Sequence, residues 1–111
     1  RNNINFLIEH NSQGALLVTC SKSWSQDTFD CVIQAILIKY KEFEKIDFVV
    51  GADRASLRFS WRKHFFYLQL ESCIETMWIE PCDLVSEQKL IILANYMQAV
   101  ANTDNIYRVH L

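Results

Sequence analysis

The chain has 111 residues, 50% of them hydrophobic, and a formal net charge of −2. This length leaves room for one hydrophobic core, because domains typically contain about 100–150 residues, and it predicts a single domain over residues 1–111. The negative charge excludes a broad positive field for nucleic acid or an anionic membrane. Its apolar stretches are far shorter than the roughly 18–20 residues that span a bilayer. We therefore expect neither nucleic acid nor a membrane as a partner.

Two strands and a helix are predicted for the first part of the chain. Residues Ile4–Glu9 and Ala15–Cys20 are β-like runs, and the polar residues between them end in Gly14, which suits the turn of a hairpin. Ser25 or Asp27 can cap a following helix by accepting hydrogen bonds from its first backbone N–H groups. The apolar residues of that helix recur with helical spacing at Phe29, Val32, Ile33, Ile36, Leu37 and Tyr40.

Four strands are predicted next. Ile46–Val50 is a short apolar run, which predicts a strand buried on at least one face. Ser56–Arg62 alternates between apolar and polar residues, a pattern typical of a strand with one inward and one outward face. Two further strands are predicted at Phe65–Glu71 and Glu75–Glu80. Pro81 ends the second of them, because proline cannot donate to a central ladder.

The last predicted element is a long C-terminal helix. Asp83 and Ser86 can cap this helix. Its apolar residues are Leu90, Leu93, Ala94, Met97 and Val100. The resulting order is β-β-α-β-β-β-β-α. Consecutive strands favour an α+β fold, with a mostly antiparallel sheet of about six strands and two helices packed on it, because parallel strands need a crossover between them.

The central strands can be aligned by matching their apolar residues. A hairpin tip at Lys63-His64 and a second loop centred on Cys73-Ile74 place apolar residues opposite one another on one face. This alignment pairs Trp61 with Phe66, Phe59 with Leu68, Leu57 with Leu70, Leu70 with Met77 and Leu68 with Ile79. The opposite face then carries three large aromatic rings beside two arginines.

This outward aromatic face is the main candidate site. Exposed aromatic patches often mark interaction sites, and aromatic and Arg residues dominate binding hot spots. Alternatively, a helix covers the face, or long Arg side chains lie across the rings in cation–π contacts. The predicted interaction surface, for a partner protein or a second copy of the chain, consists of Arg58, Arg62, Phe65, Tyr67 and Trp78.

No motif in the sequence indicates catalysis, a metal or a cofactor. The chain has no G-x-S-x-G, P-loop or G-x-G-x-x-G pattern. Its four cysteines form no C-x-x-C pair, and such spacing is typical of reduced thiols in a cytoplasmic protein. We therefore expect no catalytic residue, no metal and no cofactor. A second hypothesis is a small enzyme or ligand-binding protein whose pocket lies between sheet and helix, near His64, Cys73 and Glu75.

Three segments in the centre of the chain, Ser60-Trp61, Phe66–Glu71 and Trp78–Glu80, resemble a small bacterial family described only as a domain of unknown function. This resemblance implies no particular activity. A protein of this size and class is also similar to bacterial immunity and antitoxin proteins, which gives a third hypothesis. We expect a non-enzymatic bacterial protein that acts through protein–protein contact or homodimerisation.

Overall fold

A computed structural model describes the backbone of residues 4–110 and the side chains of residues 4–101. In this part of the chain the strands are β1 (Phe6–His10), β2 (Leu16–Cys20), β3 (Glu44–Val50), β4 (Arg54–Trp61), β5 (His64–Glu71) and β6 (Thr76–Pro81). The helices are α1 (Phe29–Lys39), α2 (Leu84–Glu87) and α3 (Leu90–His110), and a 3₁₀ turn (Gln26–Thr28) precedes α1. The predicted α+β class and element order are confirmed, and α2 is an additional short helix.

The strands form one antiparallel sheet in the order β1-β2-β6-β5-β4-β3. Strands β3 to β6 are neighbours both in sequence and in space, and β6 joins them to β2 of the N-terminal hairpin. Strands β1 and β3 are the two edges. Because β2 and β3 lie far apart in this order, the chain crosses the sheet between them, and α1 lies in that crossing segment.

The core lies between one face of the sheet and the helices. Its largest fully buried side chains are Trp61, Tyr40, Phe29, Phe59 and Phe66. The rings of Phe43 and Phe59 stack with centroids 4.4 Å apart, and the Tyr96 ring of α3 lies 6.0 Å from Phe43. Burying one such ring contributes about 1.5–3 kcal/mol. This aromatic cluster therefore fixes the segment after α1 against both β4 and α3.

Side-chain caps determine where the helical segments begin. Ser25 and Thr28 form a capping box around the 3₁₀ turn that leads into α1. The predicted cap at Ser25 therefore belongs to this turn, and Thr28, the N-cap of α1, makes no side-chain cap hydrogen bond. Asp83 accepts a 2.7 Å hydrogen bond from the backbone N–H of Ser86, and it therefore caps the short α2. The buried Ser86 hydroxyl accepts a 2.9 Å hydrogen bond from the backbone N–H of Phe65. The prediction that Asp83 and Ser86 cap the long helix is wrong, because Asp83 caps the separate helix α2 and the Ser86 hydroxyl bonds to β5.

The two predicted strand alignments have different outcomes. The β5–β6 alignment is confirmed, with Leu68 opposite Ile79. The β4–β5 alignment is wrong by two residues, because the hairpin tip is Arg62-Lys63 and Trp61 faces His64. Side chains alternate with a period of two residues, so a shift of two leaves each of them on its predicted face.

Strand β3 is an edge strand, and the prediction that it is buried on one face is wrong. Val49 and Val50, which point to opposite faces, are 60% and 53% exposed. Val50 lies opposite Ala55, which faces the helices. Phe48, on the same side, packs against the core, so the cover on the helix side reaches Phe48 and ends before Val50. An apolar run predicts a strand but does not show where in the sheet that strand lies.

Replacing Lys63 with glycine should stabilise the protein. Arg62 and Lys63 have φ angles of 52° and 69°, a left-handed conformation that costs a residue with a Cβ atom about 1–2 kcal/mol. Glycine adopts it freely, although glycine also gives the unfolded chain more entropy. We expect Lys63→Gly to raise the free energy of unfolding in urea by about 0.5–1 kcal/mol. Lys63→Ala is the control, and an equal stabilisation by both variants would contradict the explanation.

Candidate interaction surface

The outer face is the sheet face opposite to the helices. Its central residues are Arg54, Ser56, Arg58 and Ser60 of β4, Phe65, Tyr67, Gln69 and Glu71 of β5, and Trp78 and Glu80 of β6. Tyr67 lies directly between Arg58 and Glu80 on the neighbouring strands. Four of the five residues predicted from the sequence, Arg58, Phe65, Tyr67 and Trp78, share this face and are half-buried.

The outer face extends beyond these rings toward both edges of the sheet. Leu17 of β2 lies opposite Trp78, and Val49 of β3 lies opposite Ser56. Six strands spaced about 4.8 Å apart make a platform roughly 24 Å wide. A groove of about 530 Å³ is lined by Glu42, Glu44, Ile46, Ser60, Arg62, Lys63 and Phe65. The face is therefore wide enough to seat an extended segment of another protein.

In the described part of the chain, arginine side chains and not a helix lie across the rings of the outer face. The buried residues of α1 and α3 pack in the core on the other side of the sheet, so the outer face is open over the side chains that the structure describes. The Cζ atom of Arg58 lies 5.6 Å from the centroid of the Phe65 ring. The Cζ atom of Arg54 lies 5.7 Å from the Trp78 ring. The arginines thus stack on the rings but leave them partly exposed.

Hydrogen bonds hold the central side chains of the outer face in place. The Trp78 Nε1–H group donates a 2.8 Å hydrogen bond to Glu80 Oε1. The other carboxylate oxygen of Glu80 accepts a 3.4 Å bond from the Gln69 amide. The Gln69 carbonyl in turn accepts a hydrogen bond from the Ser56 hydroxyl. This network runs across three strands and orients the Trp78 ring.

Arg54 belongs to the outer face but was not predicted as a surface residue. Its guanidinium pairs with Glu71 at 2.9 Å and lies over Trp78. The signal was present in the sequence, because the alternation of β4 extends two residues upstream of Ser56, to Arg54. The predicted strand began too late to include it.

The structure places Arg62 apart from the centre of the outer face. Arg62 lies in the β4–β5 turn, and its guanidinium lies 4.4 Å from the ring of the buried Trp61 and 5.7 Å from the Tyr96 ring. Its Nε atom donates a 2.9 Å hydrogen bond to Glu42, which lowers the pKa of that carboxyl. Arg62 therefore closes the end of the core as well as bordering the groove.

Arg58 is the cation at the centre of the outer face. Among the described side chains its buried Nε atom has no hydrogen-bond partner. Its guanidinium lies near Cys82, where burial raises the pKa of the thiol and Arg58 opposes that rise. A thiol with a raised pKa stays protonated at neutral pH and is a poor nucleophile. The raised pKa therefore does not favour Cys82 as a nucleophile.

The residues of the second hypothesis do not come together. His64 begins β5 and Cys73 follows its end, so they are separated by a strand roughly 23 Å long. The Glu75 carboxylate accepts hydrogen bonds from the Ser23 hydroxyl at 2.9 Å and from the Trp24 backbone N–H at 3.0 Å. A cleft of about 430 Å³ lies beside Glu75, lined by Leu17, Val18, Thr19, Cys20, Trp24, Ile74, Thr76 and Met77. Through its hydrogen bonds to Ser23 and Trp24, Glu75 anchors the loop before α1.

Comparisons with known proteins add no family. The chain matches no protein-family model, no curated protein and no solved structure. Among the side chains that the structure describes, no three His, Cys, Asp or Glu residues are grouped so that they could hold a metal ion. Within the described residues no helix is both long and apolar enough to cross a membrane. The open outer face is therefore the feature on which a functional proposal can rest.

Trp78 should be the tryptophan that solvent reaches. Trp24 and Trp61 are only 8% and 1% exposed, whereas Trp78 is half-buried on the outer face. We expect Trp78→Phe to remove most of the fluorescence that acrylamide quenches, and Trp24→Phe to remove little of it. If quenching persists unchanged in Trp78→Phe, the outer face is covered in solution.

Proposed function

We propose that the protein is a non-enzymatic interaction protein that binds another protein chain on its outer face. The observation that carries this proposal is an open sheet face on which Phe65, Tyr67 and Trp78 lie beside two arginines. Aromatic and Arg side chains are enriched in the hot spots of protein interfaces. Aromatic rings bury a large area and have few rotatable bonds to immobilise.

The outer face also indicates what the bound chain has to supply. Apolar side chains would cover the partly exposed rings of Tyr67 and Trp78. A carboxylate or a backbone carbonyl of the bound chain would suit the guanidinium of Arg58, which is the cation at the centre of the outer face. Arg54 is already paired with Glu71, so it contributes stacking area more than charge. Because hydrogen bonds already orient Trp78, binding costs little further side-chain entropy.

The charges on the outer face favour a protein over a nucleic acid. Glu71 and Glu80 stand among the arginines, and Asp47 of β3 lies directly opposite Arg58. These carboxylates would face a phosphate backbone and repel it, whereas nucleic-acid sites depend on a surplus of Lys and Arg. A protein of the immunity or antitoxin type would be one instance of the proposed function, since such proteins also act by binding another protein.

A photo-crosslinker on the outer face should capture the bound chain. We expect Tyr67→p-benzoylphenylalanine, produced in the native cells and irradiated, to give a discrete protein adduct, and Gln34→p-benzoylphenylalanine on the exposed side of α1 to give none. Adding Trp78→Ser should lower the yield more than tenfold, because loss of a hot-spot residue costs about 2 kcal/mol or more. Ile74→Ser, which removes an exposed apolar side chain from the β5–β6 turn, should leave the yield unchanged.

Three results would contradict the proposed function. They are equal adducts from positions 34 and 67, no adduct from position 67, and an adduct that ribonuclease or deoxyribonuclease removes. Circular dichroism of the Trp78→Ser variant checks that its core is intact. If that variant unfolds, Arg58→Gln tests the same face through a residue that contributes no ring to the core.

A further inference from the structure

Strand β3 ends in the apolar run Phe48–Val50, which lies along an edge of the sheet. Ile46, Val49 and Val50 are 44%, 60% and 53% exposed, and Phe48 is half-buried. Phe48 and Val50 point to the helix side, whereas Val49 points to the outer face. Apolar residues on both faces are typical of a strand whose two faces are both covered. An exposed apolar edge is also a ready template for pairing with another strand.

The backbone of β3 offers unpaired groups along this edge. The Gly51 N–H donates to the Arg54 carbonyl at the end of the β3–β4 hairpin. Hydrogen-bonded and non-hydrogen-bonded pairs alternate along an antiparallel ladder, so Val49 is the next residue that bonds to β4. The N–H and C=O groups of Phe48 and Val50 therefore point away from β4. In the described part of the chain no strand pairs with β3 on that side.

We propose that β3 pairs antiparallel with β3 of a second copy of this chain, with Val49 opposite the partner's Val49 on a two-fold axis. In this register Phe48 lies opposite the partner's Val50, and Val50 lies opposite the partner's Phe48. These are the residues whose backbone groups point outward, so each pair closes with two hydrogen bonds. The side chains match as well, because every one of these cross-strand pairs is apolar.

Charge and strand irregularity favour this register over those centred on Asp47 and Phe48. An axis at Asp47 would place two aspartates directly opposite each other, which destabilises an antiparallel pair. An axis at Phe48 would place Asp47 opposite the partner's Val49 and would extend the pairing into the irregular stretch between Lys45 and Asp47. With the axis at Val49, Asp47 lies opposite the partner's Gly51. The same register brings Lys45 toward the turn that carries the partner's Asp53, which has the opposite charge.

The proposed dimer joins the two six-stranded sheets into one. Because Val49 faces itself in this register, the axis is perpendicular to the sheet and both outer faces lie on the same side. The aromatic platforms of the two copies then adjoin across Val49. The paired segment is short, and its interface is smaller than the standard one of about 1,600 Å². We therefore expect a dimer whose population rises with protein concentration.

Opposite charges at position 49 provide a direct test. Wild-type protein should show a concentration-dependent dimer in sedimentation velocity, and Val49→Lys and Val49→Asp should each be monomeric. Mixing these two variants should restore a heterodimer, because a lysine then lies opposite an aspartate on the two-fold axis. Ile74→Lys, which puts a charge on an exposed apolar residue of another turn, should dimerise like the wild type.

The outcomes of this test separate the dimer from the proposed function. A monomeric wild type, a Val49→Lys variant that still dimerises, or a mixture that stays monomeric would each overturn the β3 pairing. The Trp78→Ser variant should remain dimeric, because Trp78 lies three strands away from β3. Dimerisation that is lost in Trp78→Ser but kept in Val49→Lys would assign self-association to the outer face and overturn the β3 pairing.

Discussion

Both long helices pack on the same face of the sheet, and this one-sided packing determines which surfaces remain for other molecules. Helix α1 lies in the segment that crosses from β2 to β3, and α3 runs beside β1. Successive residues of a strand point to opposite faces. Each strand residue that enters the core therefore leaves its neighbours on the outer face. Because Leu57, Phe59 and Leu68 are almost fully buried, the core is complete without any contribution from the aromatic rings on that face.

The contacts among the outer-face residues order them more than they stabilise the fold. An exposed cation–π contact contributes about 0.5–1 kcal/mol, and an exposed ion pair such as Arg54 with Glu71 contributes at most about 1 kcal/mol. These amounts are small beside the burial of a core ring such as Phe59. Their main physical effect is that Trp78 and Arg54 already have fixed neighbours in the free protein. A preorganised surface loses less entropy on binding than a mobile one.

The sequence predicted the outer face well because its evidence was periodic. Alternation along β4 and β5 assigned Arg58 and Tyr67 to one face even though the β4–β5 alignment was wrong by two residues. The tip of that hairpin was missed because Arg62 and Lys63 are not residues that usually adopt positive φ. No local pattern reveals whether a strand lies at an edge or inside the sheet, since that depends on the order in which the whole chain pairs its strands. The apolar run of β3 was predicted as buried for this reason, although the strand lies at an edge.

The two edges of the sheet differ in a way that local sequence does not reveal. At β1, the Gln98 side chain of α3 donates a 3.0 Å hydrogen bond to the Ile8 carbonyl, so a helix satisfies part of that edge and packs along it. At β3, the edge has an irregularity between Lys45 and Asp47, which limits pairing to the last residues of the strand. Proteins commonly protect edges with bulges, charges or covering helices. β1 has a covering helix, whereas the segment from Phe48 to Val50 has none of these and remains open to a strand of matching register.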